Sequence, residues 1–137
     1  MLPNSAEITV FRGWLNRGQY VWSPFVTKLE ARLRFGGIKY TIEAGSPRTA
    51  LKGKIPYVEY RQHSGAPALY MGDSALIARA FTEEGLLGDL GAALSPEKKA
   101  LDMSVRALLE DKLVFYHVRV RCYSNLCCLQ SILLLYT

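Results

Sequence analysis

Three short stretches of this 137-residue chain carry residue types that could do chemistry. Ser23-Pro24-Phe25 reads as a helix start, because serine caps free amides and proline is pre-set for the first helical position. A hydroxyl there can also donate to an anion, and the helix dipole acts in the same direction. Asp73-Ser74 opens a second apolar helical pattern, so its free N–H groups and partial positive charge suit a carboxylate. Between them, Lys54-Ile55-Pro56 leads into the alternating, aromatic-rich Tyr57-Val58-Glu59-Tyr60. Proline cannot donate to a ladder, so it belongs at a strand's first residue, an edge or a bulge. Together these stretches read as three corners of one small-thiol binding site.

The elements that must position them follow from periodicity. Glu7 to Phe11 alternates and is β-branched, which predicts a first strand. A loop over 13–21 follows, marked by Gly13, Asn16 and Gly18. In the helix opened by Pro24, the residues Phe25, Val26, Leu29 and Leu33 fall on one face, with Lys28, Arg32 and Arg34 off it. Gly36-Gly37 ends it, since glycine takes the left-handed conformation that closes helices. Lys39 to Ala44 predicts a second strand, with Tyr40, Ile42 and Ala44 on one side. A helix lies between the two strands, so they are expected to be parallel. Residues 46–53 hold at most a short helix or turns. Tyr57 to Tyr60 is a third strand, and Ala68 to Met71 a fourth, antiparallel to it. Asp73 caps the next helix, whose expected buried stripe is Leu76, Ile77, Ala80 and Phe81. The class is therefore α/β: βαβ, an irregular segment, then ββα, with helices packed on a four-stranded mixed sheet. Thr82 to Leu94 reads as a linker. Ser95-Pro96 then starts a long helix with the stripe Leu101, Val105, Leu108, Leu109, Leu113, Tyr116 and Val120.

Composition narrows the function classes. Lys and Arg number 17 against 12 Asp and Glu, dispersed apart from a loose group at Arg48, Lys52 and Lys54. That pattern is a solvated surface rather than a basic stripe with stacking aromatics, so no nucleic-acid partner is expected. All three cysteines, Cys122, Cys127 and Cys128, fall in the last sixteen residues. No Cys-x-x-Cys occurs, an odd cluster is no disulfide framework, and His63 and His117 do not complete metal-ligand spacing. A reducing compartment, the cytoplasm, and no metal are the expectations. No signal peptide is visible at Met1 to Glu7. The apolar run Leu126 to Tyr136 is shorter than the roughly 20 residues a bilayer span needs.

Ser23-Pro24-Phe25-Val26-Thr27-Lys28-Leu29-Glu30, Gly37-Ile38-Lys39-Tyr40, Lys52-Gly53-Lys54-Ile55-Pro56-Tyr57 and Asp73-Ser74 are individually common. In this order and separation they resemble the amino-terminal thioredoxin-like domain of glutathione transferases, and within it the metaxin-like and failed-axon-connections-like branch. The resemblance covers 7–84 well and 95–121 loosely, and does not cover 122–137. It implies a thioredoxin-like domain over 1–84, a linker over 85–94 and the first helix of a truncated all-α domain over 95–121, leaving the tail 122–137 unassigned. It implies glutathione as the ligand. Lys54-Ile55 would offer backbone groups to the tripeptide's central residue beside a cis Pro56, and Asp73 and Ser74 would anchor its γ-glutamyl end. Ser23 would take the catalytic role, donating to the bound thiolate.

The residues alone leave plainer readings open. Pro56 can be a trans proline starting an edge strand, and Ser23 and Asp73-Ser74 can be plain caps, as Ser95 is. With Val26 at the resolving position and no cysteine at 23, dithiol exchange is excluded. Two departures from the family pattern bear on activity. The loop 13–21, with Trp14, Arg17 and Tyr20, is longer than the family's tight connection. The family's electrophile site is made by the second domain, of which this chain supplies one helix, so conjugation of apolar electrophiles is not expected. Burying each Leu or Val is worth roughly 1.5–3 kcal/mol, so an apolar stripe of seven needs cover. Two functions stand: a glutathione-binding, transferase-like module, or a non-catalytic metaxin-like module. The second would take a protein partner through the same groove or through the stripe of helix 95–121, and that helix could also join another copy of the chain. The resemblance also implies the mitochondrial outer surface as an alternative location.

Overall fold

The first strand organises the sheet. The computed structural model describes residues 6–13, 21 and 23–124. In β1 (Glu7–Phe11) the alternation turns Ile8 and Val10 into the core and leaves Glu7, Thr9 and Phe11 on the other face. β1 runs parallel to β2 (Thr41–Glu43), with Thr9 opposite Thr41. It runs antiparallel to β3 (Tyr57–Arg61), with Val10 opposite Val58. β4 (Leu69–Gly72) pairs antiparallel with β3, giving the order β2-β1-β3-β4. The crossover from β1 to β2 is α1 (Pro24–Phe35), and α2 (Ser74–Glu83) follows β4. This is the expected thioredoxin-like βαβ–ββα arrangement. Residues 46–53 form turns rather than a helix.

One face of the sheet and the inner faces of α1 and α2 enclose the core. Val10, Val26, Leu29, Leu33, Val58, Ile77 and Phe81 are completely buried. Leu86 and Leu87, just past α2, close it, so this part of the presumed linker is core. Gly36 has an ordinary φ of −78°, but a Cβ there would collide with Leu87. Gly37, at φ +68°, is the residue that takes the left-handed turn out of the helix.

Two stripe assignments need correcting. Phe25 and Leu76 are 37 % and 49 % exposed, whereas Glu30 and Ser74 are buried. The buried lines are Val26-Leu29-Glu30-Leu33 and Ser74-Ile77-Phe81. Phe25 and Leu76 each precede a buried residue by one, which puts them roughly 100° round the helix from it. Phe25 instead lies under the Lys28 ammonium, whose Nζ is 5.8 Å from its ring centre.

Tyr60 packs its ring at 5.3 Å from Phe81, tilted by 59°. Burial, reinforced by the Glu84 carboxylate, pushes its hydroxyl up to about 12 from the usual 10.0. An unfolded tyrosine loses its proton near ~10, so between about 10 and 12 the folded chain holds a proton that the unfolded chain has lost. Stability should therefore fall across that window by on the order of 2–3 kcal/mol. Urea midpoints measured across the window, with Tyr60→Phe flattening the decline, check this.

The chain divides into two units, one ending at Gly88 and one beginning at Asp89. The second is helical: α3 (Pro96–Ala107), a π-helical segment (Leu108–Leu113) and α4 (Val114–Ser124). Ser95 Oγ accepts from the Lys98 amide at 3.4 Å and caps α3. The expected stripe from Leu101 to Val120 is exposed throughout. Trp14, Arg17, Tyr20, Cys127 and Cys128 lie outside the described residues. Among the described residues, no helix is long and apolar enough to cross a membrane, and no cluster of His, Cys, Asp or Glu could hold a metal.

Candidate functional site

A cross-strand row ends the sheet. Glu43 stands opposite Phe11, Phe11 opposite Tyr57, and Tyr57 opposite Gly72. One residue beyond this row lie Arg12, Pro56 and Asp73. The ladder thus carries the segment before β3 and the segment after β4 to the same end. A helix that returns the chain from β1 to a parallel β2 must start at that end too, which brings Ser23 there.

Several packed contacts fix this end. The Phe11 and Tyr57 rings stack with centres 4.4 Å apart and 8° between planes. The Tyr57 hydroxyl shares a 2.9 Å hydrogen bond with Thr49 Oγ1, tying the turns of 46–53 to β3. Gly13 has φ +91°, a conformation that favours glycine, and a Cβ there would stand 2.8 Å from the tip of the Ile55 side chain, so β1's exit passes close to Ile55. The Ile55–Pro56 bond is cis. Ile55 is 9 % exposed.

At the start of α2, Asp73 adopts φ +77°, and its carboxylate accepts from the amides of Ala75 at 2.8 Å and Leu76 at 3.4 Å. The capping role is therefore real. Ser74, beside it, is 3 % exposed and starts the buried line of α2.

Ser23 departs from expectation. Its hydroxyl makes no capping bond, while its carbonyl accepts from Thr27 N at 3.2 Å and Thr27 Oγ1 at 3.4 Å. The same Ser-Pro pair at Ser95 does cap. Ser23 has ψ 115° where Ser95 has ψ 161°, and that rotation swings the hydroxyl off the first-turn amides. The Ser23 hydroxyl is not spent on the helix.

A buried ion pair beside the site was not anticipated. Arg12, the residue after β1, is 2 % exposed, and Glu30 on α1 is 6 % exposed. Arg12 Nε approaches Glu30 Oε1 to 2.9 Å as an ion pair, out of line for a hydrogen bond. Arg12 Nη2 donates to Oε2 at 3.5 Å, and Arg34 lies 3.6 Å from the same oxygen. The available signal was register: Glu30 is four residues after Val26 and three before Leu33, on the apolar line. A carboxylate at a core position demands a buried cation.

A model of the glutathione S-transferase N-terminal domain matches residues 24–126. The chain belongs to that family. No curated protein matches it in sequence. Among solved structures, it is similar to glutathione transferase Omega 2S from Trametes versicolor, solved with 2,4-dihydroxybenzophenone. That likeness has a TM-score of 0.51 and 14 % identity, over 77 % of this chain and 49 % of that one. It is also similar to a dehydroascorbate reductase from Chlamydomonas reinhardtii, with a TM-score of 0.47 and 20 % identity, over 77 % of this chain and 51 % of that one. The glutathione S-transferase N-terminal-like chain thus spans about half the length of these structures. At such identities the Omega likeness speaks for the fold.

Proposed function

We propose that this module binds glutathione at the end of the sheet that carries Ile55 and Ser74, with Ser23 at the start of the crossover helix completing the site. The observation that carries the reading is the cross-strand row Phe11–Tyr57–Gly72, which carries Ile55 with its cis bond to Pro56 and Asp73-Ser74 to one end of the sheet. An extended tripeptide laid along Lys54-Ile55, before Pro56, would pair with the main chain there as an added strand. The Ser74 hydroxyl, at the positive end of α2, would hold the γ-glutamyl carboxylate, with Asp73 Oδ2, which its cap does not use, facing the ammonium. The uncapped Ser23 hydroxyl would donate to the thiolate and, with the α1 dipole, lower the thiol from its free value near ~8.5. Conjugation of apolar electrophiles is outside this proposal.

Ligand at ten times its Kd stabilises the folded state by about 1.4 kcal/mol, a melting shift of roughly 5 °C for a domain of this size. Millimolar glutathione should give that shift, and Ser74→Ala should remove it. Ser23→Ala should keep the shift but leave the bound thiol titrating near ~8.5, read from thiolate ultraviolet absorbance. No shift with the unmodified chain would overturn the reading.

The alternative is a non-catalytic module of the metaxin-like branch, to which the runs Ser23 to Glu30 and Lys52 to Tyr57 bear resemblance. What favours it is the exposed stripe of the helical unit, from Leu101 to Val120. It would bury that stripe against a protein partner, and absence of the glutathione shift would speak for it.

A further inference from the structure

The apolar face of the helical unit has a symmetry of its own. Leu101, Val105, Leu108, Leu113, Tyr116 and Val120 are all exposed, and follow one another at steps of four, three, five, three and four. Steps of three and four keep side chains on one α-helical face. A step of five swings a side chain about 140° round an α-helix and takes it off that face. Here the step of five runs from Leu108 to Leu113, the bounds of the π-helical segment. Its wider turn, closed by i→i+5 bonds, brings residues five apart back towards one face. The segment thus carries the seam of α3 on into α4 as a single line. At the middle of that line Leu108, Leu109, Lys112, Leu113 and Tyr116 border an apolar groove.

A seam of alternating threes and fours is what one helix presents to another. The order of the steps selects which other: it reads the same from either end. A second copy laid antiparallel sets Leu101 level with Val120, Val105 with Tyr116 and Leu108 with Leu113, and each pair recurs through the two-fold axis. All three pairs share one midpoint, between Glu110 and Asp111. The flanking charges agree. Asp102 and His117 each follow a seam residue by one, so they lie on the same side, and the antiparallel copy brings them within a turn of each other. At the axis, Lys112 of each copy comes level with Glu110 and Asp111 of the other. We infer that the seam from Leu101 to Val120 pairs with a second copy of this chain, antiparallel about that axis. The glutathione reading does not use the helical unit, so this goes beyond it, and it gives the exposed stripe an occupant other than a foreign protein.

Sedimentation equilibrium of the full chain, in reducing buffer so that its cysteines cannot cross-link, tests the inference. At tens of micromolar the chain should sediment at twice its own mass. Leu108→Gln with Leu113→Gln should weaken association by roughly a hundredfold or more, because the two copies together lose four packed leucines. Met103→Gln should leave it unchanged, since Met103 is exposed about 200° round the helix from Leu101. Asp102→Lys and His117→Asp should each weaken the dimer about threefold to fivefold, and most of that loss should return when both changes sit in one chain. A chain that stays monomeric, whether or not it then binds lipid vesicles or another protein, would overturn the inference. So would a dimer indifferent to the Leu108 and Leu113 changes, or a charge swap without recovery. The glutathione melting shift is read separately, so either proposal can fail while the other survives.

Discussion

Glu30→Leu should lower stability by about 3–5 kcal/mol, the largest loss expected from any single polar substitution in this chain. The change strips its carboxylate from a guanidinium that is 2 % exposed, at the junction of β1 and α1. Arg34 offers no compensation, because it is itself a cation that leans on the same Glu30 carboxylate, at 3.6 Å. Replacing both charges, Arg12→Met with Glu30→Leu, should recover stability to within about 1 kcal/mol, because apolar pairs of similar volume substitute well for buried ion pairs. Urea midpoints of the single and double variants measure the contrast. A single variant within about 1 kcal/mol of the parent would mean that water reaches the pair and the site is not dry. The double variant also separates stability from position. If it folds well but loses the glutathione shift, the pair's use lies in holding α1 at a fixed height over Ile55.

Phe81→Ala should cost about 3–5 kcal/mol, and Phe81→Leu much less. Phe81 is completely buried near the end of α2, its ring against Tyr60 and its carbonyl accepting from Leu87 N at 2.9 Å. Truncation therefore opens a void where β3, α2 and the Leu86–Leu87 closure meet. For a unit of this size the melting temperature should drop by roughly 12 °C or more. A drop of only two or three degrees would mean the core collapses around the missing ring.

The parts of the fold legible beforehand were those set by local period. Glu7 to Phe11 alternates over its whole length, and β1 occupies the same five residues. Pro24, Gly37 and Asp73 mark boundaries through their own backbone preferences, and each boundary stands where it was expected. Less legible was anything decided by a partner distant in sequence. Leu76 and Ser74 are two residues apart, and composition alone would bury the leucine. The docking of α2 on the sheet turns its other line inward, so the serine is buried. Ser23 and Ser95 carry the same Ser-Pro signal, but only one hydroxyl caps. The difference lies in a backbone torsion that no side-chain type encodes. Arg12 and Glu30 are eighteen residues apart and meet only because the crossover helix folds back over β1. Gly13 was noted as a loop marker; its close approach to Ile55 appears only when β1 and the proline segment are brought together.

β1, the first described element, is central in the sheet, which makes it a poor place to cut. Termini usually tolerate trimming because they fray at the margin. Here, deleting the residues up to Phe11 would remove the one strand to which β2 and β3 are both paired. β2 would lose the one strand it pairs with among the described residues, and β3 would present a bare rim of amides and carbonyls of the kind that recruits other chains. A splice form or proteolytic product starting beyond that point would keep Ile55, Pro56, Asp73 and Ser74 but lose the strand that joins β2 to β3.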